Sequence, residues 1–131
     1  MQEKIAKLRE VKILFVEDET DLIDIISDTL SKLKANYQTA LNGKIAYDLL
    51  MSDDSFDLVV TDINMPVMNG LELIEKVRET NKDIPFVIMS AHTESEYMRK
   101  AEDLGIDNYL LKPFDFIKFI TLVSEMDLKK D

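Results

Sequence analysis

The 131-residue chain contains no cysteine. That removes disulfides, thiol nucleophiles and thiolate metal sites in one step, and it is compatible with a reducing cytosol. Positive charge is scarce too: 16 Lys and Arg stand against 26 Asp and Glu, for a net charge of −10. Duplex nucleic acid is bound largely through cationic contacts to phosphate, so this balance excludes direct nucleic-acid binding. Long apolar runs are also missing. None approaches the roughly 20 residues of a membrane span, and the opening MQEKIAKLRE lacks the apolar centre of a signal peptide. The expectation is a cytoplasmic protein with no membrane insertion.

What is present fits one domain. The length suffices to bury a single core, and 46% hydrophobic with 32% charged residues is an ordinary globular mixture. Strand-like and helix-like periods alternate along the chain. VKILFV (11–16) reads as a strand. After the acidic EDETD, residues 22–34 carry Leu22, Ile23, Ile26, Leu30 and Leu33 at helical spacing. Residues 37–40 form a weak second strand, followed by a helix with Ile45, Ala46, Leu49 and Leu50 on one face. DLVVTD (57–62) is a continuous apolar run of the kind buried on both faces. Gly70 opens a helix with Leu71, Ile74 and Val77 on one side, PFVIMS (85–90) is a fourth strand, and residues 94–105 read as a helix closed by Gly105. DNYLLK (107–112) is a fifth, shorter strand, and residues 114–126 a last helix with Phe116, Phe119, Ile120 and Val123 inward.

Five strand-then-helix units predict an α/β fold with a parallel sheet covered on both faces. Residues 1–10, with only Ile5 and Leu8 as apolar anchors, read as a short leader, a helical cap or a remnant of a linker; residues 11–131 read as the domain.

In such a sheet, ligands bind beyond the carboxyl ends of the strands. Glu17 and Asp18 stand after the first strand, Asp62 at the end of the third, Ser90 at the fourth and Lys112 at the fifth. Singly, each has an ordinary reading: Thr20 or Asp21 as a helix cap, Asp62 as a turn former beside Asn64 and Pro66, Ser90 as a loop residue, Lys112 as a solvated lysine. Together, three carboxylates, a hydroxyl and an ammonium on one edge have a chemical logic. Crowded carboxylates repel, and a hard divalent cation such as Mg²⁺ relieves that repulsion while bridging to phosphate oxygens. A carboxylate beside an anion site is also a nucleophile toward phosphoryl groups, with the lysine offsetting charge on the transferring group.

The pattern resembles the receiver domain of two-component response regulators. VEDE after the first strand, DINMPVMNG after the third, MSA at the fourth and YLLKPF at the fifth carry the resemblance, in this order and at these intervals. It implies a doubly wound sheet of flavodoxin-like order 2-1-3-4-5. It implies Asp62 as phosphoacceptor, Asp18 as a direct metal ligand, Glu17 acting through a bound water, and Asn64 supplying a backbone carbonyl. Mg²⁺ is the implied cofactor, with Mn²⁺ as a substitute. Lys112 would pair with the phosphoryl group, Ser90 would be the switch hydroxyl, Tyr109 the coupled aromatic, and the Lys112–Pro113 peptide cis. The implied protein is a switch, not an enzyme beyond its own phosphorylation and dephosphorylation. Its partners would be a sensor histidine kinase or phosphotransfer protein and a downstream protein target. The target would read the face made by the helix at 94–105, the fifth strand and the last helix, on a monomer or a phosphorylation-dependent dimer.

His92, the sole histidine, has two readings: a modulator of water attack on the phosphoryl group, with the Asn64 side chain, or an exposed loop residue. Met65, Met68, Met89 and Met98 read as core filler, and Asp53–Asp54 as a solvated turn. Rival functions are disfavoured. A flavin carrier needs a phosphate-holding loop where EDETD stands. A phosphatase or mutase of this type places an acid two residues past its nucleophile, where this chain has Asn64. A pseudo-receiver has no use for an intact reactive set. Two readings stand for the chain as a whole, a single-domain regulator, which the initiating Met and short leader suit, and a piece of a larger regulator or hybrid kinase.

Overall fold

A computed structural model describes residues 2–80, 83–90, 95–126 and 128. The elements run α1 (Gln2–Glu10), β1 (Lys12–Val16), α2 (Thr20–Lys32), β2 (Asn36–Ala40), α3 (Gly43–Ser52), β3 (Leu58–Asp62), α4 (Gly70–Glu79), β4 (Phe86–Ser90), α5 (Ser95–Asp103), β5 (Tyr109–Leu111) and α6 (Phe116–Glu125). The strands form one parallel sheet of order β2-β1-β3-β4-β5. Right-handed crossovers place α3, α4 and α5 on one face. Because the chain steps from β1 outward to β2 and then back past β1 to β3, α2 lies on the other face, where α6 joins it.

The two-residue period of the strands divides the core accordingly. Leu14, Val16, Val59, Phe86 and Ile88 meet Ala46, Leu50, Leu71, Ile74 and Val77. Ile13, Phe15, Val60, Val87 and Met89 meet Ile26, Leu30, Phe119, Ile120 and Val123. All five residues of β3 are buried, as its unbroken apolar run requires. Met68 and Met89 are buried within these layers, where an unbranched side chain fills irregular gaps.

Several local expectations are corrected. The N-cap of α2 is Glu19, not Thr20 or Asp21, and its side chain makes no capping hydrogen bond. Ile45 is 43% exposed, so α3 buries only Ala46 and Leu50 fully, beside Gly43. Asp53 is not a merely solvated turn residue: it pairs with Lys12 at 2.7 Å and accepts from the Ser55 amide and hydroxyl. Lys12 and Ser55 accordingly hold the Asp53 carboxyl well below the usual range.

Residues 2–10 form a helix packed on the α2–α6 layer. Leu8 is fully buried in the α2–α6 layer and Ile5 packs beside it. The cations of α1 reach helix C-termini, where carbonyls lack intrahelical partners. Lys7 donates to the carbonyls of Ser124 and Met126 at the end of α6, and Arg9 Nε donates to the Leu33 carbonyl beyond α2 at 2.8 Å.

Candidate functional site

The sheet's change of direction lies between β1 and β3, and the loops after these strands line a crevice at their carboxyl ends. Ladder bonds carry the functional residues to that edge. The Glu17 N–H donates to the Ala40 carbonyl at 3.0 Å, and the Lys112 N–H to the Ser90 carbonyl at 2.8 Å. Glu17 therefore continues β1, and Lys112, one residue past β5, is pinned beside the end of β4. Phe114 packs edge-on to Phe116, with ring centroids 4.8 Å apart, and against Phe15 and Phe119. That aromatic cluster fixes the loop carrying Lys112. The Lys112–Pro113 peptide is cis.

Asp62 ends β3 and is 8% exposed. Its Oδ1 accepts from the Ile63 N–H at 2.8 Å, and its Oδ2 lies 3.1 Å from Lys112 Nζ. The backbone below is crowded: a Cβ on Gly70 would stand 2.2 Å from the Asp62 carbonyl oxygen. Only glycine lets α4 start this close under the acid. The Asn69–Glu72 capping box holds that helix start in place.

Glu17, Asp18 and Asp62 each present a carboxylate oxygen, and these oxygens lie within 4.8 Å of one another. Glu17 is fully buried and Asp18 exposed. Glu17 Oε1 has no aligned hydrogen-bond donor among the described residues, although Lys112 Nζ stands 2.8 Å away as an ion pair. The second Glu17 oxygen accepts from the Glu19 N–H at 3.1 Å. Burial pushes the Glu17 carboxyl above its ordinary value; Lys112 and the Glu19 amide pull it back, Asp62 adds to the rise, and the net shift is upward. For Lys112, burial opposes the ammonium, but the contacts to Glu17 and Asp62 outweigh it and raise its pKa above that of an ordinary lysine. An all-oxygen donor set, two members buried and one open, with one oxygen short of a donor, suits a hard divalent cation such as Mg²⁺.

The remaining expected residues fall as follows. Asn64 is exposed on the loop after β3, and Ser90 is half-buried at the end of β4. Tyr109 is half-buried at the start of β5, its hydroxyl donating to the Ile106 carbonyl at 3.1 Å. Burial, then the charges of Glu102 and Asp107, raise its phenol pKa. His92 lies outside the described residues. Glu19 was not anticipated from the sequence: its Oε1 is 3.5 Å from Lys112 Nζ. No helix among the described residues is long and apolar enough to cross a membrane.

A family model for the response regulator receiver domain matches residues 13–124. The chain is 36% identical over 107 residues to a chemotaxis protein CheY homolog of Campylobacter jejuni, covering 79% of this chain and 82% of that protein. It is 34% identical over 116 residues to the transcriptional regulatory protein CusR of Escherichia coli, covering 88% of this chain and 51% of CusR. The chain thus spans about half the length of CusR. Its fold is similar to the crystal structure of the response regulator protein TrrA from Thermotoga maritima, solved in complex with Mg²⁺-BeF. The TM-score is 0.76 and the identity 28%, over 88% of this chain and 97% of TrrA.

Proposed function

We propose that Asp62 is the phosphoacceptor of a two-component switch, from the premise that the chain belongs to the response regulator receiver domain family. Receiver domains are signalling switches that interact with histidine kinases or phosphotransfer proteins. The observation that carries the reading is the convergence on Asp62: an ammonium 3.1 Å from its Oδ2 and two further carboxylates beside it.

In this reading residues 11–131 are the receiver unit. Asp62 attacks the phosphorus of a phosphohistidine on the donor protein; the new O–P bond forms as the N–P bond breaks, and the electron pair stays on the imidazole. The Ile63 amide holds the attacking carboxylate in one rotamer, which limits the orientations to be searched. Lys112 lies where charge on the transferring oxygens develops. Asp18, Asp62, the Asn64 backbone carbonyl and, through water, Glu17 would hold Mg²⁺, or Mn²⁺ in its place. The bound cation supplies the positive charge that lets these acids sit together with a phosphoryl group.

The product adds roughly −1.5 to −2 charge at the edge of β3. Ser90 turns to donate to it, and Tyr109 leaves the Ile106 carbonyl and swings toward the space that opens. The α5–β5–α6 face then presents a changed surface to a protein target, in the cytoplasm. The His92 and Asn64 side chains would set the rate of water attack. The switch catalyses nothing beyond its own phosphorylation and dephosphorylation.

The test is intact-mass spectrometry after acetyl phosphate treatment with and without Mg²⁺. Wild type should gain one phosphoryl mass only with the cation, and Asp62→Asn none. A wild type that gains no mass from any donor would sink the proposal.

A further inference from the structure

We infer that Glu19 is a positioning residue that restrains phosphoryl acceptance by holding Lys112 in competition with the incoming group. This rests on the phosphoacceptor reading of Asp62 above. Among the described residues, Lys112 Nζ stands near three carboxylates: it donates to Asp62 at 3.1 Å and to Glu19 at 3.5 Å, and pairs by charge with Glu17 at 2.8 Å. A phosphoryl oxygen that draws on this lysine competes with all three for its charge, and the most weakly held contact yields first. Glu17 is fully buried and anchored by the Glu19 amide, and Asp62 is the acceptor itself. Glu19 makes the longest contact and is the most exposed, at 67% of its side chain. It is the one that gives way.

The position of Glu19 argues that its charge, and not its helix, explains the residue. It is the N-cap of α2, where Ser, Thr, Asp or Asn would bond the first free amides. Its side chain makes no such bond and turns instead to Lys112, 93 positions along the chain. Glu19 thus contributes its backbone amide to Glu17 and its carboxylate to the mouth of the site. A carboxylate sharing one nitrogen with Asp62 is well within the Debye length of about 8 Å at physiological salt. It therefore also repels an anion docking on Asp62.

The test compares wild type, Glu19→Gln and Glu19→Ser by NMR titration with beryllofluoride at saturating Mg²⁺, in low and high KCl. Glutamine keeps the shape and removes the charge; serine removes the charge and supplies a helix cap. Both variants should bind roughly three- to tenfold tighter than wild type at low salt, allowing for partial solvent screening. The advantage should shrink at about 0.5 M KCl, a response that a purely structural role would not produce. The serine variant should also melt higher. Wild type that binds while neither variant binds tighter overturns this inference and leaves the phosphoacceptor reading standing. A wild type that binds no beryllofluoride overturns that reading and takes this one with it.

Discussion

The sharpest test of the fold lies outside the matched family region, at Leu8. Its side chain is fully buried among residues of the α2–α6 layer, Val123 and Leu128 among them. Leu8→Ala removes three carbon centres from that layer, at about 0.8 kcal/mol each for transfer alone. The cavity left behind adds to this, and buried Leu→Ala changes cost about 2–5 kcal/mol in all. One effect caps the loss. α1 lies outside the sheet and its crossovers, so it can undock locally, and the penalty cannot exceed the free energy that holds it on α6. That docking includes the Lys7 bonds to the α6 carbonyls and the Arg9 bond beyond α2, each worth about 1 kcal/mol or somewhat more as a charge-assisted contact. A loss of about 3 kcal/mol is therefore expected, or a melting point lower by roughly 10 °C for a domain of this size. Urea unfolding followed by far-UV circular dichroism measures it, with an unchanged slope showing that cooperativity survives. A loss under about 1 kcal/mol would mean that α1 is not part of the folding unit.

Two further changes probe backbone positions. Lys34 has φ 59° at the end of α2, where the Ala35 N–H reaches back to the Leu30 carbonyl and the Lys34 N–H to Ser31. Gly105, at φ 84°, fills the same role after α5. Lys34→Gly should stabilise the protein by about 1 kcal/mol, the left-handed penalty less the added freedom of the unfolded chain; no rise in melting temperature would refute the strain argument. Gly70→Ala drives a Cβ into the Asp62 carbonyl and should cost about 2–3 kcal/mol. It should also slow phosphoryl uptake in the intact-mass assay, because the Asp62 backbone must shift; a variant matching wild type in both would show that the close approach is unimportant.

Periodicity and strand ends carried the architecture and brought Glu17, Asp18, Asp62 and Lys112 together, because both follow from local pattern and from the rule that parallel strands share one carboxyl edge. What escaped has a common cause: the deciding partner is distant in sequence. Nothing near Glu19 marks it as different from Asp18 or Asp21; only Lys112, held over the mouth by the aromatic cluster around Phe114, selects it. Asp53 looks solvated until Lys12 reaches it across the lower edge of the sheet. α1 has a weak apolar stripe, and its docking depends on unpaired carbonyls at the end of α6, more than a hundred residues away. A cruder signal was nonetheless present. EDE after the first strand and the aspartate at the third crowd carboxylates onto the strand-end edge that also carries Lys112, and one cation near several acids and a phosphoryl group must divide its charge among them. Competition for Lys112 was therefore implied by the count of charges. Which acid must yield is decided by burial, and burial belongs to the fold.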